Sequence, residues 1–537
     1  MTTADRQADL ILRGGSVIDG TGAPARPADV ALRGDRIAAV GELAGWTAPA
    51  SRDVTGLAVA PGFIDMHSHS DLALLLNGHA ESKLRQGVTT EVIGQCGFSP
   101  APAPEARREH IRNMFGFFGE QVEWRWGSFA SYLAALRESG LSVNVAPLVG
   151  QGIVRAAVMG EDNRAASEAE LAAMQDEVRK AMEEGAFGLS SGLIYVPSMW
   201  ADVEELASLA AAMKSRNGIY FSHIRNEREH LVEAVTEAME VGRRAGVAVQ
   251  ISHLKSADRP NWGKIGAALE AMTEAKEREG LDVSYDVYPY TAWNTGLVQL
   301  LPAWAREGGW EAIAARLRDP GARGRLRQEL SEGARSDPEW WSLRMLASVG
   351  SEANRDLQGV TLAEIAARRG CAPEEAAMDL LLEESGQADM VGFAMSEEDI
   401  TAALRHPLGM IGSDAAVRAP YGELGRGHPH PRSYGTFPRV LGRYARDQGA
   451  LSLEEAVAKM TGRPAEKLGL RDRGKVAAGM AADLVVFDPA RVSDRATYQD
   501  PHQYPEGIHL VVVNGVVELD GDEHRQRKPG RVLARPS

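Results

Sequence analysis

The chain has 537 residues, of which 44% are hydrophobic and 25% charged, enough for one large core and a smaller domain. Its formal net charge of −15 argues against nucleic acid or an anionic membrane surface as a partner, although one buried arginine can still bind a small anion. The two cysteines, Cys96 and Cys371, are too few for a disulfide framework, so a metal or catalytic role for one of them becomes the question.

The first residues lack the basic and apolar regions of a signal peptide, and no later apolar run reaches the length of a transmembrane helix. We therefore expect a cytoplasmic protein with a small-molecule substrate, and the sequence leaves its oligomeric state open.

The two ends of the chain show the same pattern of apolar residues and glycines. Residues 9–60 contain short alternating apolar segments divided by glycines, and residues 475–488 and 510–518 repeat this pattern. Such alternation predicts antiparallel strands. Because each block is small and chain termini commonly lie close together, we predict one β-sandwich domain formed by residues 1–61 and 470–537.

Between these blocks apolar strands alternate with amphipathic helices. Helical spacing predicts helices over residues 168–184, 203–215, 231–245 and 265–279. The predicted strands are residues 62–67, 88–96, 142–149, 186–192, 218–224, 247–253, 282–290 and 409–414. Eight strands with intervening helices indicate a TIM-like (β/α)₈ barrel over residues 62–469, with its chemistry at the carboxyl ends of the strands.

Two segments complicate this count. Residues 390–395 form a ninth strand candidate. Residues 291–360 are too long for a loop and are rich in tryptophan, which indicates an inserted lid subdomain over the barrel mouth.

Six residues of the types that bind zinc stand at the carboxyl ends of predicted strands. His67 and His69 are one residue apart, so in an extended strand their side chains project to the same side. In a barrel the strand ends form one ring, so residues far apart in the sequence converge on one cavity. Histidine, thiolate and carboxylate are zinc ligands. The six residues are His67, His69, Cys96, His223, His253 and Asp414.

Zinc at this position indicates a reaction with metal-activated water, that is, a hydrolysis. A bound ion lowers the pKa of water to near 7 and polarises a carbonyl group. Asp414, beside the ion, is the candidate general base that takes the proton from water and returns it to the leaving group. Arg432 carries the planar fork suited to a substrate carboxylate, and Lys255 points to the same face as His253.

Five segments of the chain resemble the D-aminoacylase, or N-acyl-D-amino-acid deacylase, family of the amidohydrolase superfamily, and the resemblance extends over nearly the whole chain. The cysteine segment and the last segment are its strongest markers. The segments are APGFIDMHSHSD (60–71), VIGQCGFS (92–99), GLSSGLIY (188–195), HLK (253–255) and HPRSYGTFPR (430–439).

The resemblance implies a TIM-like barrel, a β-sandwich from both chain ends, an inserted lid and zinc. Many binuclear amidohydrolases bridge two ions with a carbamylated lysine on the fourth strand, and residues 185–192 contain no lysine, so Cys96 is the replacement that the resemblance implies. A buried apolar role is the alternative for Cys96 and our default for Cys371.

The same resemblance implies that the six candidate ligands form two metal sites. Cys96, His223 and His253 would hold one tight ion, while His67, His69 and Asp414 would complete a weaker or optional second site that shares Cys96. Tyr195 and Tyr288 match tyrosines that the family uses to contact the substrate. The alternative for both is that they pack in the protein core.

The sequence departs from the family pattern after Asp414. Ala415 stands where glycine is usual, and residues 416–427 lengthen a loop that should border the pocket. Because the loop is longer, the sequence does not decide which arginine corresponds to the family's substrate-binding arginine. Besides Arg432, the candidates are Arg418, Arg426 and Arg439.

We expect zinc-dependent hydrolysis of N-acyl-D-amino acids to a carboxylate and a free D-amino acid, with the D preference implied by the resemblance alone. The alternatives are an amidohydrolase acting on a cyclic amide or N-carbamoyl compound, and a metal-binding scaffold without activity. The preferred side chain, the acyl group and the number of ions stay open.

Overall fold

A barrel of eight parallel strands forms the centre of the computed structural model, which describes residues 6–334 and 337–535. The predicted (β/α)₈ barrel is confirmed. Its first and last strands join where the Met66 amide donates to the Ile411 carbonyl at 3.2 Å. The third strand resumes after Leu148 as Val149–Gly150 and there pairs with the fourth. The barrel strands are Phe63–Asp65, Val88–Ile93, Asn144–Pro147, Gly188–Gly192, Ile219–His223, Ala248–Ile251, Val283–Val287 and Gly409–Ile411.

Helices surround the barrel, and local signals set their ends. Ser167 caps the helix Glu168–Glu183 by accepting from the Glu170 amide, and Gly246, with a φ of 66°, ends Leu231–Ala245. The other α-helices are Ala73–Leu76, Glu81–Leu84, Arg108–Asn113, Gly116–Gln121, Phe129–Ser139, Gln151–Met159, Val203–Ala211, Ile265–Glu279, Gly309–Arg318, Pro320–Ala334, Leu362–Arg369, Pro373–Glu383, Glu397–Arg405, Arg432–Arg439, Leu453–Met460 and Gly462–Leu468, and Val440–Asp447 is a π-helix.

Both ends of the chain contribute to one nine-stranded sheet, as predicted. Strand Ala58–Pro61 pairs antiparallel with Leu484–Phe487, which joins the amino-terminal block to the carboxyl-terminal one. Gly62 alone separates Ala58–Pro61 from the first barrel strand, so this sheet fixes where the barrel begins. Its strands are Leu10–Val17, Arg26–Arg33, Arg36–Gly41, Ala50–Asp53, Ala58–Pro61, Leu484–Phe487, Ile508–Val513, Val516–Asp520 and Glu523–His524.

A third, antiparallel sheet lies outside the barrel. Its strands are Ala292–Gly296, Asp389–Phe393 and Arg344–Ser348, with Asp389–Phe393 in the middle. The ninth strand candidate, residues 390–395, therefore belongs to this sheet and not to the barrel. Since the sheet uses residues beyond 360, the predicted lid of 291–360 contains only two of its strands, and the domain boundaries themselves stay predictions.

Several barrel strands end before the predicted position. The strand predicted over residues 88–96 ends at Ile93, and that predicted over 409–414 ends at Ile411. Cys96 and Asp414 have φ values of 54° and 52°, a conformation that cannot continue a strand ladder. None of the helices among the described residues has the length and apolar character needed to cross a bilayer.

Candidate metal centre

Cys96 lies at the meeting point of two groups of potential ligands. Its Sγ is 3.6 Å from Nδ1 of His223 and 3.5 Å from Nε2 of His253, and these three residues form one group. On its other side Sγ is 3.3 Å from Nε2 of His67. In each group the candidate ligand atoms lie within 4.8 Å of one another. The thiol sulfur therefore belongs to both groups of potential ligands.

Asp414 belongs to the second group, with His67, His69 and Cys96. Its Oδ1 lies 3.0 Å from Nε2 of His69 and 3.5 Å from Nε2 of His67. Its Oδ2 accepts a hydrogen bond of 2.7 Å from Nη1 of Arg432. Asp414 thus faces the histidines with one oxygen and the substrate arginine candidate with the other.

The backbone at this site is strained. Cys96, His253 and Asp414 all have positive φ, at 54°, 35° and 52°, although none of them is glycine. Such conformations cost of order 1–3 kcal/mol each and persist where the surroundings fix them, often at functional sites. We predicted that His67 and His69 project to the same side because they lie in an extended strand. The strand ends at Asp65, so both residues lie in the loop after it, and the conformation of that loop brings them together.

Two carboxylates that the sequence did not single out lie behind the histidines. Asp286 Oδ1 is 3.2 Å from Nδ1 of His67 and accepts from the His253 amide at 2.8 Å. Glu227 Oε1 is 3.0 Å from Nδ1 of His253 and accepts from Nζ of Lys255 at 2.6 Å. Carboxylates beside the second ring nitrogen orient a metal-binding histidine. Asp286 lies in the middle of the strand predicted over residues 282–290, and the observed strand ends one residue after it, at Val287, so its place near a strand end became visible only in the structure. Glu227 stands in a loop.

A fully buried lysine lies below the first two histidines. Lys83 Nζ donates to Asp65 at 2.6 Å, to Ser413 at 2.7 Å and to the Ala415 carbonyl at 2.8 Å. Asp65 in turn accepts from the amides of His67, at 3.2 Å, and Ser413, at 2.8 Å. The loops that carry His67 and Asp414 are therefore joined through one buried ion pair.

The protonation states suit metal binding. Burial lowers the pKa values of His69, His223 and His253, which keeps them in the neutral form that binds a metal. Burial raises the pKa of the Cys96 thiol, and the charge of Asp414 adds to this effect. A bound cation acts in the opposite direction because it stabilises the thiolate. Imidazole, thiolate and carboxylate together fit zinc.

The predicted substrate residues line one cavity of about 1730 Å³ beside the ligand groups: Tyr195, Lys255, Tyr288 and Arg432. The Tyr288 hydroxyl is buried and has no hydrogen-bond partner among the described residues. Arg432 lies over the Tyr288 ring, 4.7 Å from its centroid. Tyr195 packs edge-on against His223, with 5.1 Å between ring centroids. The cavity therefore joins these four side chains to both ligand groups.

The three competing arginines have different surroundings. Arg439 is paired with Asp494 at 2.8 Å, and Arg426 is paired with Glu423 at 3.0 Å. Arg418 lines the cavity. Among the four arginines it is Arg432 that directly contacts the carboxylate of Asp414, at the centre of the site.

Known proteins resemble this chain over its full length. The model of the amidohydrolase family matches residues 51–517. A D-aminoacylase of Alcaligenes xylosoxydans xylosoxydans is 40% identical over 536 residues, which cover 100% of this chain and 99% of that protein.

Two solved structures extend the similarity to the fold. A D-aminoacylase structure described by its binuclear metal centre has a TM-score of 0.82 at 39% identity, covering 98% of this chain and 100% of that one. The N-acyl-D-glutamate deacylase of Bordetella bronchiseptica, solved with zinc and a phosphonate mimic of the tetrahedral intermediate, has a TM-score of 0.81 at 36% identity and covers 99% and 100%.

Proposed function

Because this chain belongs to the amidohydrolase family, in the branch of the N-acyl-D-amino-acid deacylases, we propose that it hydrolyses N-acyl-D-amino acids to a carboxylate and a free D-amino acid. The observation that carries the proposal is the position of Cys96, whose sulfur is shared by both ligand groups while Asp414 and Arg432 face the same cavity.

The residues divide into two sets of ligands. Cys96, His223 and His253 would hold the tight ion, and His67, His69 and Asp414 would complete a second, weaker site with Cys96 shared. Zinc bound here supplies a nucleophilic water at neutral pH and polarises the amide carbonyl.

Asp414 acts as general base and acid in this proposal. Burial alone raises the pKa of a carboxyl group, but the Arg432 guanidinium and the three histidines His253, His69 and His67 together outweigh this effect and hold the pKa of Asp414 well below its ordinary value. Asp414 is therefore ionised and able to accept a proton from the attacking water. It then returns that proton to the nitrogen of the leaving amine.

Arg432, Lys255, Tyr195 and Tyr288 position the substrate. The charged heads of Arg432 and Lys255 are already fixed by Asp414 and Glu227, so they lose little freedom when the α-carboxylate of the substrate arrives. The Tyr288 hydroxyl has no partner among the described residues, so its hydrogen bond is available to the substrate.

Hydrolysis of paired substrates tests the proposal. We expect the zinc-loaded protein to release methionine from N-acetyl-D-methionine much faster than from the L form, and to leave a hydantoin untouched. The same preparation should contain at least one tightly bound zinc per chain. Cys96→Ser should lose both zinc and activity, while the matched variant Cys371→Ser should keep both. Equal hydrolysis of both enantiomers, opening of the hydantoin, or full activity in Cys96→Ser would contradict the proposal.

The cytoplasmic location and the absence of nucleic-acid and membrane partners stay predictions from composition and charge.

A further inference from the structure

Arg418 lines the cavity, and its guanidinium has no hydrogen-bond or ion-pair partner among the described residues. Its Nε is buried and has no hydrogen-bond partner, and none of its side-chain nitrogens lies within ion-pair distance of a carboxylate among the described residues. The group lies over the ring of Phe118, with 5.2 Å to the centroid. Burial lowers the pKa of Arg418, as expected for a cation withdrawn from water without a neighbouring anion.

The other described arginines of the cavity wall have partners. Arg432 is paired with Asp414, while Arg306 donates to the Ile194 carbonyl at 2.7 Å and to Gln299. The remaining ion pairs are Arg225 with Glu237, Arg228 with Asp258, Arg355 with Glu352, and Arg426 with Glu423. Arg418 therefore differs from its neighbours in having a free planar fork, the group that grips a carboxylate with two parallel hydrogen bonds.

Asp389 is the acid whose charge reaches Arg418, but it does not pair with it. The Asp389 carboxylate accepts from Ser348 Oγ at 3.3 Å and lies beyond ion-pair distance of the guanidinium. Burial raises the pKa of Asp389, so this carboxyl group holds its negative charge less readily than a solvated one. Because no carboxylate among the described residues lies within ion-pair distance, the Arg418 guanidinium can pair with an anionic ligand.

The backbone holds Arg418 close to the reaction centre. The Arg418 amide donates to Ser82 Oγ at 2.9 Å, and its carbonyl accepts from the Ser82 amide at 3.2 Å. The Val417 amide donates to Ser70 Oγ at 2.9 Å, next to His69. Asp414 and Arg418 line the same cavity. A substrate held at Asp414 therefore occupies the space that the Arg418 side chain borders.

We propose that Arg418 binds a second carboxylate of the substrate, which gives the lengthened loop of residues 415–427 a role in substrate selection. This inference rests on the proposed hydrolysis of N-acyl-D-amino acids. The second carboxylate is carried either by the amino-acid side chain, as in N-acyl-D-glutamate, or by a dicarboxylic acyl group such as succinyl.

Matched substrate pairs distinguish these two sources. N-acetyl-D-glutamate is compared with N-acetyl-D-glutamine, and N-succinyl-D-methionine with the derivative whose terminal carboxylate is an amide. The readout is the ratio of kcat/KM for the anionic member over the neutral member. We expect Arg418→Gln to lower this ratio about 10-fold or more in one pair, since a hydrogen-bonded charge pair is lost.

Arg418→Lys should retain part of the ratio, because the charge remains without the fork. Arg443→Gln is the control, because Arg443 lies outside the cavity wall and pairs with Glu397 at 3.1 Å, and it should leave the ratio unchanged. An unchanged ratio for Arg418→Gln in both pairs would overturn the proposal.

A binding measurement separates this inference from the proposed activity. Calorimetry on the zinc-loaded protein compares glutarate with its monoamide. We expect the wild-type protein to bind glutarate about 10-fold more tightly, and Arg418→Gln to abolish that preference. The same preference in wild-type protein and Arg418→Gln would reject the subsite. If the preference depends on Arg418 and no N-acyl-D-amino acid is hydrolysed, the proposed function fails while the subsite stands.

Discussion

Asp414 is the residue on which turnover depends in this account, because it contacts both the ligand histidines and Arg432. Asp414→Asn removes the proton acceptor and keeps the shape of the side chain. We expect kcat to fall by about 10²- to 10⁴-fold, the usual contribution of a general base. Zinc held by Cys96, His223 and His253 should stay bound, as metal analysis would show. A variant with wild-type turnover would remove Asp414 from this role.

Glu227 offers a second test at the scale of single residues. Its carboxylate lies 3.0 Å from Nδ1 of His253 and orients that ring. Glu227→Gln should weaken zinc binding by about 10- to 100-fold, the usual effect of losing a carboxylate behind a ligand. Competition with a chelator measures this change, and Glu229→Gln, a carboxylate in the same loop, serves as the control. Equal zinc affinity of wild type and Glu227→Gln would refute the assignment.

For single residues, the sequence indicated which side chains have the chemistry of metal ligands, but it did not indicate which side chains contact each other. The ligand types could be found because histidine, cysteine and aspartate stand out at the ends of apolar strands. Glu227 could not, since its importance comes from lying beside His253, and a loop of that length can follow many paths. The pairing of Arg432 with Asp414 is likewise a property of the folded chain.

The loops after the first and last barrel strands act as one element because Lys83 and Asp65 join them. Lys83→Met keeps much of the side-chain volume and leaves two buried carboxylates, Asp65 and Glu91, without their cation. We expect a loss of about 3–5 kcal/mol in the free energy of unfolding. Weaker zinc binding should accompany it, because Asp65 fixes the His67 amide.

Chemical denaturation and zinc titration of the same Lys83→Met preparation measure both effects. The double variant Lys83→Met with Asp65→Asn should recover part of the lost stability, since it removes one of the two carboxylates that Lys83 neutralises and leaves only Glu91. Unfolding at the wild-type denaturant concentration would contradict the interpretation of Lys83.

Element identity was easier to predict than element ends. The helices Leu231–Ala245 and Ile265–Glu279 have the bounds that their apolar spacing predicts, because hydrophobic periodicity and a final glycine agree there. The strands before Cys96 and Asp414 end early, at Ile93 and Ile411. Gly94 has a φ of 80°, and Cys96 and Asp414 also adopt positive φ, so the chain leaves the strand conformation there. No propensity predicts such a conformation for a cysteine, which depends on the contacts of the finished site.

At the scale of the whole molecule, a buried hydrogen-bonded group joins the sandwich to the barrel. Glu81, on a barrel helix, accepts from Tyr504 at 2.7 Å and lies 3.3 Å from Nδ1 of His524 on the last sandwich strand. Burial raises the pKa of Glu81, but the bonds from His524 and Tyr504 outweigh it and lower the value to about 2. The ordinary value is 4.5, so the ionised form is favoured by folding.

This lowered pKa predicts a pH-dependent stability. The contribution of Glu81 is fully present above about pH 4.5 and is lost as the pH falls towards 2. Glu81→Gln should therefore lower the free energy of unfolding by about 2 kcal/mol at pH 5.5, and the difference should shrink between pH 4.5 and 2. Denaturation curves at several pH values measure it. A difference that is constant with pH would show that the charge of Glu81 is not what stabilises the joint.

The pairing of the two chain ends was predictable because the same strand pattern occurs in both of them. Glycine-divided strands at both ends indicated one shared sheet, and the pairing of Ala58–Pro61 with Leu484–Phe487 forms it. The joint at Glu81 was not predictable, because its partners lie more than 400 positions away in the sequence and carry no motif. The strand Asp389–Phe393, in the middle of the sheet outside the barrel, was likewise counted as a candidate barrel strand. A short apolar segment predicts a strand but gives no information about which sheet the strand joins.

The central claim is that a metal ion bound through the Cys96 sulfur makes this chain a hydrolase. Cobalt(II) added to the metal-free protein tests it most directly, because thiolate-bound cobalt absorbs in the near ultraviolet. We predict that this absorption and the hydrolysis of N-acetyl-D-methionine rise together with the first equivalent of cobalt, and that both are absent in Cys96→Ser and retained in Cys371→Ser. Activity that rises without the thiolate absorption, or that persists in Cys96→Ser, would contradict the account.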